Sequence, residues 1–204
     1  MKLNVQKTLE QLKPVLISSK SKGPDPVYFV FQELEDKKWA NITIIQNGKL
    51  GTEYPKTYGH YHGTDVNETY KVLAGEGVMQ LNKKHMDGEN WDSSKVDAVY
   101  LVRAKEGDEI TITPEYGHSW SNVGDLPFIT FDNWTSGHTP TDYEDVEKHH
   151  GLAYYLVEEK GQPKAIPNPN YQHCPKSSGH SCYATAPEPI WMTAEEFAKL
   201  SDKR

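Results

Sequence analysis

The sequence predicts a single all-β domain, a sandwich or barrel with short helices at its periphery, and three observations lead there. Short runs rich in Val, Ile, Tyr and Phe recur along the chain, at residues 27–31, 39–46, 68–73, 78–82, 98–103 and 109–113 among others. Turn signals divide them: Asn47-Gly48, Gly75-Glu76-Gly77, Gly124-Asp125 and Lys160-Gly161. Helical patterns are confined to short stretches near the two ends, and no 20- to 50-residue repeat is present beyond two related motif halves.

Taken in order, residues 7–13 read as a short helix that Pro14 limits. Residues 18–26 are a polar loop. Residues 27–31 read as a strand buried on both faces, and residues 39–46 as a second that leads into the Asn47-Gly48 hairpin. Residues 54–62 and 68–73 form two further strands joined by the loop 63–67, long enough to fold the second back beside the first. Residues 78–82 return, and the polar stretch 83–96 reads as an exposed loop. Strands resume at 98–103 and 109–113, continue through 118–123 and 127–134, and close with 152–158 and 164–166. Beyond Pro167 the composition shifts to Pro, Ser, Asn and Gly, and the tail leaves the strand pattern. Thr193-Ala194-Glu195-Glu196 is a capping box that opens a helix to about Leu200.

Composition excludes several classes. The 204 residues suit one domain with an appended tail, and a formal charge of -7 with no basic stripe argues against nucleic acid. No apolar run is long enough to span a bilayer. The first ten residues lack an apolar segment of the export type, so a cytoplasmic location is expected. Two cysteines do not make a disulfide scaffold. His173, Cys174, His180 and Cys182 fit no common zinc spacing and read as loop residues, while His149-His150 reads as a solvated surface pair.

Chemistry concentrates in residues 57–82. His60 and His62 lie two apart, so in an extended strand both imidazoles face the same way. Glu68 follows after a loop, with Tyr70 on the same face as Glu68. Two imidazoles and a carboxylate are ligands for a divalent metal of borderline softness. A fourth ligand is offered by His118, which follows a strand and the turn Pro114-Glu115-Tyr116-Gly117 and precedes Asn122 by four residues. A His-x-His pair alone is more often two ordinary surface or core histidines. It is the addition of Glu68, the glycines after it and the His118 half that selects a metal site.

Both halves together look like the two cupin motifs, His-x-His with Glu and Gly, then Gly, Pro, His and Asn. Five residues separate His62 from Glu68, a longer spacing than the general cupin pattern. The chain most closely resembles the cupin-type glucose-6-phosphate isomerases, best known from archaea. The resemblance covers residues 27 to 170 and is carried by Thr57-Tyr58-Gly59-His60-Tyr61-His62, Glu68-Thr69-Tyr70, Gly75-Glu76-Gly77-Val78-Met79, residues 118–128 and Gly137-His138.

That resemblance implies a cupin double-stranded β-helix (jelly roll) over residues 1–170, an irregular extension with a short helix over 171–204, and a homodimer. It implies one divalent ion per chain on His60, His62, Glu68 and His118, with iron first and manganese, nickel, cobalt or zinc also admitted. It implies a sugar-phosphate substrate, with Thr43, Thr57 and the Gly59 backbone near the phosphate. Tyr28, Tyr70 and His138 line the same pocket, Trp134 stands where a pocket tyrosine is expected, and Tyr58 replaces a lysine. Glu68, Tyr70 and His138 are then the catalytic candidates, for aldose–ketose isomerisation between glucose 6-phosphate and fructose 6-phosphate. The same metal set also suits a cupin dioxygenase, another metal-dependent oxidoreductase or a non-catalytic sugar-binding cupin. Thr43, Thr57 and His138 favour the isomerase.

Overall fold

A computed structural model of the chain describes residues 1–172 and 186–201. Alternation sorts each strand's side chains onto two faces, and partners in register share a face, so pairing decides which residues meet. One sheet holds six strands in the order β1 (Lys2–Lys7), β2 (Tyr28–Gln32), β3 (Asn41–Ile45), β9 (Phe128–Asp132), β4 (Glu68–Ala74) and β7 (Glu109–Ile112). Its pairings are all antiparallel. The second sheet runs β12 (Ile190–Thr193), β6 (Asn90–Lys105), β5 (Glu76–Asp87) and β8 (Tyr116–Asn122). A hairpin of β10 (Tyr154–Glu159) and β11 (Gln162–Pro167) forms a separate two-stranded sheet, packed on the second through Leu156 with Val78 and Leu101.

This is the all-β, two-sheet architecture expected, with three short helices at the periphery: α1 (Leu9–Leu12), α2 (Thr141–Lys148) and α3 (Ala194–Ser201). The sheets meet through one core. Val72 of β4, Met79 and Leu81 of β5, Trp120 of β8 and Phe128 of β9 belong to a single buried cluster, with the Trp120 and Phe128 rings 4.9 Å apart. β8 is buried along its whole length, because β5 covers one edge and the segment 54–62 the other.

The register of the six-stranded sheet builds the wall of the site. β3, β9 and β4 each bury alternate residues. Asn41, Asp132 and Tyr70 therefore stand side by side in one row, and Thr43, Thr130 and Val72 in the next. A further row joins Lys7, Tyr28, Ile45 and Phe128.

Several local expectations hold. The capping box at Thr193 is formed, with Glu196 N–H donating to Thr193 Oγ1 at 3.2 Å and Thr193 N–H donating to Glu196 Oε2 at 2.7 Å. The N-terminal helix is shorter than the stretch 7–13. It starts after a second capping box, Thr8 with Gln11, and gives way to a 3-10 turn at Lys13–Val15.

Other expectations are corrected. Residues 54–62 are not a regular strand: their backbone pairs with β8 only in isolated bridges, Lys56 with Ser121 and His60 with His118. Gly59, at φ +85°, breaks the pleat between them. β4 does not fold back beside that segment but pairs with β7 and β9. The polar stretch 83–96 is not a loop. It is the outer half of the β5–β6 hairpin, exposed only at its tip, residues 86–90, with Trp91 packed on Tyr61 and Val96 buried. His149 is buried against Tyr171, with ring centroids 5.0 Å apart, and only His150 is exposed. The tail returns to the sheet: β12 pairs in parallel with β6, and Phe197 of α3 lies in the main core. His173, Cys174, His180 and Cys182 lie outside the described residues.

Candidate active site

A cavity of about 430 Å³ opens between the two sheets. Of the predicted site residues, Tyr28, Thr43, Thr57, Gly59, His60, Glu68, Tyr70, His118, Trp134 and His138 all line it. His62 stands just behind them, buried, with its ring centroid 3.9 Å from that of Trp134. The predicted residues therefore converge on one place, although they come from both sheets and two loops.

The histidines are held by backbone. His60 N–H donates to His118 C=O at 3.1 Å and His118 N–H donates to His60 C=O at 2.9 Å, so the two imidazoles leave one closed bridge, 4.3 Å between ring centroids. Gly59 fits there because a Cβ would sit 3.3 Å from Ser119 Cβ and 3.4 Å from the His118 carbonyl oxygen. His62 Nε2 lies 2.8 Å and His118 Nε2 3.2 Å from the same oxygen, Glu68 Oε2. One ligand atom from each of His60, His62, Glu68 and His118 lies within 4.8 Å of all the others.

Electrostatics agree with that geometry. Burial works against ionisation of Glu68, but hydrogen bonds from His118 and His62, reinforced by their charges, hold its carboxyl at about 2. It is a carboxylate at any physiological pH. Burial, then the neighbouring His118, His138 and His62, pushes His60 well below the ordinary imidazole value, so it presents a neutral nitrogen. His60 Nε2 is buried without a hydrogen-bond partner, as are His62 Nδ1 and His118 Nδ1. Imidazole nitrogens and one ionised carboxylate are donor types that suit a divalent ion, and an orphaned His60 Nε2 is satisfied by one. The residues present fit the metal.

Around this set stand the other groups. Tyr70 Oη lies 3.0 Å from His118 Nε2, and burial together with the charges of Glu68 and Asp132 raises its pKa far enough that the phenol stays protonated. The His138 ring meets that of His60 edge-on at 4.2 Å and lies parallel to that of Trp134 at 5.9 Å, and burial lowers its pKa. Trp134 Nε1 donates to Gly137 C=O at 2.7 Å, which fixes the loop that carries His138. Thr57 Oγ1 accepts from Trp120 N–H at 3.0 Å, leaving its own proton free to donate into the cavity.

Comparison with known proteins decides the family. The family model described as "Glucose-6-phosphate isomerase (GPI)" matches residues 25–175. The chain belongs to the glucose-6-phosphate isomerase family. The "Glucose-6-phosphate isomerase" of Pyrococcus abyssi is 29% identical over 181 residues, 82% of this chain and 88% of that protein. The enzyme of the same name from Thermococcus onnurineus is 30% identical over 156 residues, 72% of this chain and 75% of its own. Among solved structures, the Drosophila melanogaster CENP-C cupin domain matches with a TM-score of 0.37 and 14% identity, over 55% of this chain and 71% of that one.

For this member of the glucose-6-phosphate isomerase family the structure adds cavity residues that sequence reasoning missed. Asp132 is 5% exposed; its Oδ1 accepts from Asn41 Nδ2 and, at 3.1 Å, from Trp134 N–H. Burial, then the charge of Glu68, raises its carboxyl to about 7 against those two hydrogen bonds. Its signal was the alternation Phe128, Thr130, Asp132, which places a carboxyl on an inward face. Tyr143 enters from α2, its ring 5.6 Å from that of His60. Lys7 enters from β1.

Proposed function

We propose that this chain interconverts glucose 6-phosphate and fructose 6-phosphate with one divalent ion held by His60, His62, Glu68 and His118. The observation that carries this reading is the convergence of that donor set with Thr43, Thr57 and Gly59 on one cavity, in a chain of this family. Iron as the resident ion, a homodimer, a cytoplasmic location and a place in sugar-phosphate metabolism rest on the family resemblance. Among the described residues no helix is long and apolar enough to cross a membrane.

When bound, a divalent ion supplies Lewis acidity toward a carbonyl and its neighbouring hydroxyl. The chain's own residues supply the rest. Glu68 is ionised and lines the cavity, so on an enediol route its carboxylate takes the proton from one of C1 and C2 and returns it to the other. On a hydride-shift route the same carboxylate serves as a ligand only. Tyr70, protonated and 3.0 Å from His118 Nε2, offers a hydroxyl donor to a substrate oxygen. Thr43, Thr57 and the Gly59 N–H are donors for the phosphate oxygens. The buried Trp134 and Trp120 rings wall the cavity against water.

The test is a coupled assay of purified, metal-loaded protein with fructose 6-phosphate. Turnover to glucose 6-phosphate, with free fructose handled far more slowly, is expected. Oxygen consumption by the iron form without isomerisation would transfer the site to the oxidoreductases, and equal turnover of free fructose would remove the phosphate assignment.

A further inference from the structure

We propose that Lys7 is the cation that binds the substrate's phosphate, an inference that rests on the sugar-phosphate reading of this cavity. Thr43, Thr57 and the Gly59 N–H offer only neutral donors, whereas a phosphate monoester near neutral pH carries close to two negative charges. Lys7 is the only lysine or arginine among the described residues lining the cavity.

Its placement follows from the sheet. Lys7 is the last residue of β1 and pairs with Tyr28, in the row that continues through Ile45 and Phe128. The row of Asn41, Asp132 and Tyr70 lies four residues further along β9. That is about 13 Å of extended strand. The two carboxyl groups lining the cavity, Glu68 and Asp132, are thus at or near the metal end, and the cation is at the other. A linear six-carbon phosphate has the same polarity, with its carbonyl end and its phosphate separated by the carbon chain. A lysine side chain is long enough to take up the difference between strand length and substrate length.

The surroundings of the ammonium point to an anion. Lys7 Nζ lies 5.1 Å from the centroid of the Tyr58 ring, the residue between Thr57 and Gly59. This brings it to the segment that carries the neutral donors. Burial lowers its pKa, and the carboxylate whose charge opposes that shift is Glu147 of α2. No ion pair joins Lys7 to a carboxylate among the described residues. A half-buried ammonium held over an aromatic face, without a bonded counter-charge, gains more from an arriving dianion than an exposed lysine does.

The test compares wild type with Lys7→Met and Lys7→Arg, using fructose 6-phosphate for kinetics and inorganic phosphate as a separate probe of binding. Lys7→Met keeps most of the apolar stem. It is expected to raise KM for fructose 6-phosphate by roughly ten- to a hundredfold, the range for loss of one charged hydrogen bond. Turnover is expected to stay within a few-fold, metal content to stay unchanged, and Lys7→Arg to recover most of the affinity. In thermal melts, inorganic phosphate is expected to raise the Tm of wild type and Lys7→Arg but not of Lys7→Met. KM and phosphate-induced Tm shift both unaltered in folded Lys7→Met would overturn the proposal and leave Lys7 as a cap on the Tyr58 ring. The two readings fail separately. Wild type without isomerase activity but with Lys7-dependent phosphate binding refutes the isomerase and keeps the anion site. Active wild type with Lys7-independent phosphate binding does the reverse.

Discussion

Asp132 makes the stability of this protein depend on pH in a direction opposite to that of most carboxylates. Its ordinary value of 3.8 is raised to about 7 in the fold, first by burial and then by the charge of Glu68. Below about pH 4 the group is protonated whether the chain is folded or not, and contributes nothing. Between 4 and 7 the unfolded chain releases the proton while the folded chain retains it, so the folded state loses ground as pH rises. Above 7 the cost is constant. Three pH units at about 1.4 kcal/mol each set a ceiling of about 4 kcal/mol. Asp132→Asn removes the ionisation while its amide oxygen still accepts from Asn41 Nδ2 and Trp134 N–H. Urea denaturation of chelator-treated protein at pH 4.5, 6 and 8 is the assay, read as the difference between variant and wild type. That difference cancels the opposing contributions of Glu68 and His60, which are common to both. The variant is expected to gain on wild type steadily with pH, by up to about 4 kcal/mol at pH 8. Loading with a divalent ion is expected to shrink the gain, because positive charge beside Glu68 offsets the field that Asp132 feels. A difference that is flat with pH, or that falls, refutes the reasoning.

Three further outcomes test other parts of the structure. His60→Ala, His62→Ala and His118→Ala are each expected to lower metal content below one ion per chain by elemental analysis, and full occupancy in all three would end the metal assignment. Glu68→Gln keeps the side-chain size and one oxygen but not the basicity. On the enediol route it is expected, at matched metal occupancy, to lose turnover by about a hundredfold or more, with solvent deuterium entering the wild-type product, whereas on a hydride-shift route restored metal restores much of the rate. Near-normal turnover without solvent label would leave Glu68 as a ligand only. Gly117→Ala puts a Cβ 2.3 Å from the buried Tyr61 ring and is expected to destabilise by about 1–3 kcal/mol, read as a lower Tm.

What could be read from the sequence was what depends on nearest neighbours along the chain. His60 and His62 reach one site although residues 54–62 are not the regular strand expected, whereas the turn at Gly75 follows from glycine and the start of α3 from Thr193 and Glu196. Those features are local, and the fold preserves them. Choice of strand partner is not local. β4 carries the same alternation whether it pairs with residues 54–62 or with β7 and β9, and only the assembled sheets decide. The outer β5–β6 hairpin escaped notice for a related reason, since its mostly polar residues are only partly buried and Trp91, Met86 and Val96 make no apolar alternation to detect. Most of β1, Lys2–Lys7, is exposed, so its contributions to the cavity, Asn4, Val5 and Lys7, leave no pattern. His149 looked like a surface residue because its cover, Tyr171, lies far along the chain.

The division of labour between the two walls gives these perturbations their separability. His60 and His118 hang on reciprocal backbone bonds between β8 and the segment beside it, so the geometry of the metal end depends on main chain that side-chain substitutions leave in place. The substrate-facing groups Lys7, Tyr28, Thr43 and Asp132 stand on the other sheet, each in a row fixed by register. Besides the shared core, the two walls are linked through Glu68 and Tyr70, the two side chains of the six-stranded sheet that touch the histidines directly. Losses of metal are therefore expected from changes at the four ligands, and losses of phosphate affinity from Lys7 and Thr43 on the six-stranded sheet and from Thr57 and Gly59 beside His60. Glu68 and Tyr70, which touch the histidines, and Gly59, which packs on the His118 carbonyl, are the positions at which a single change is expected to alter both.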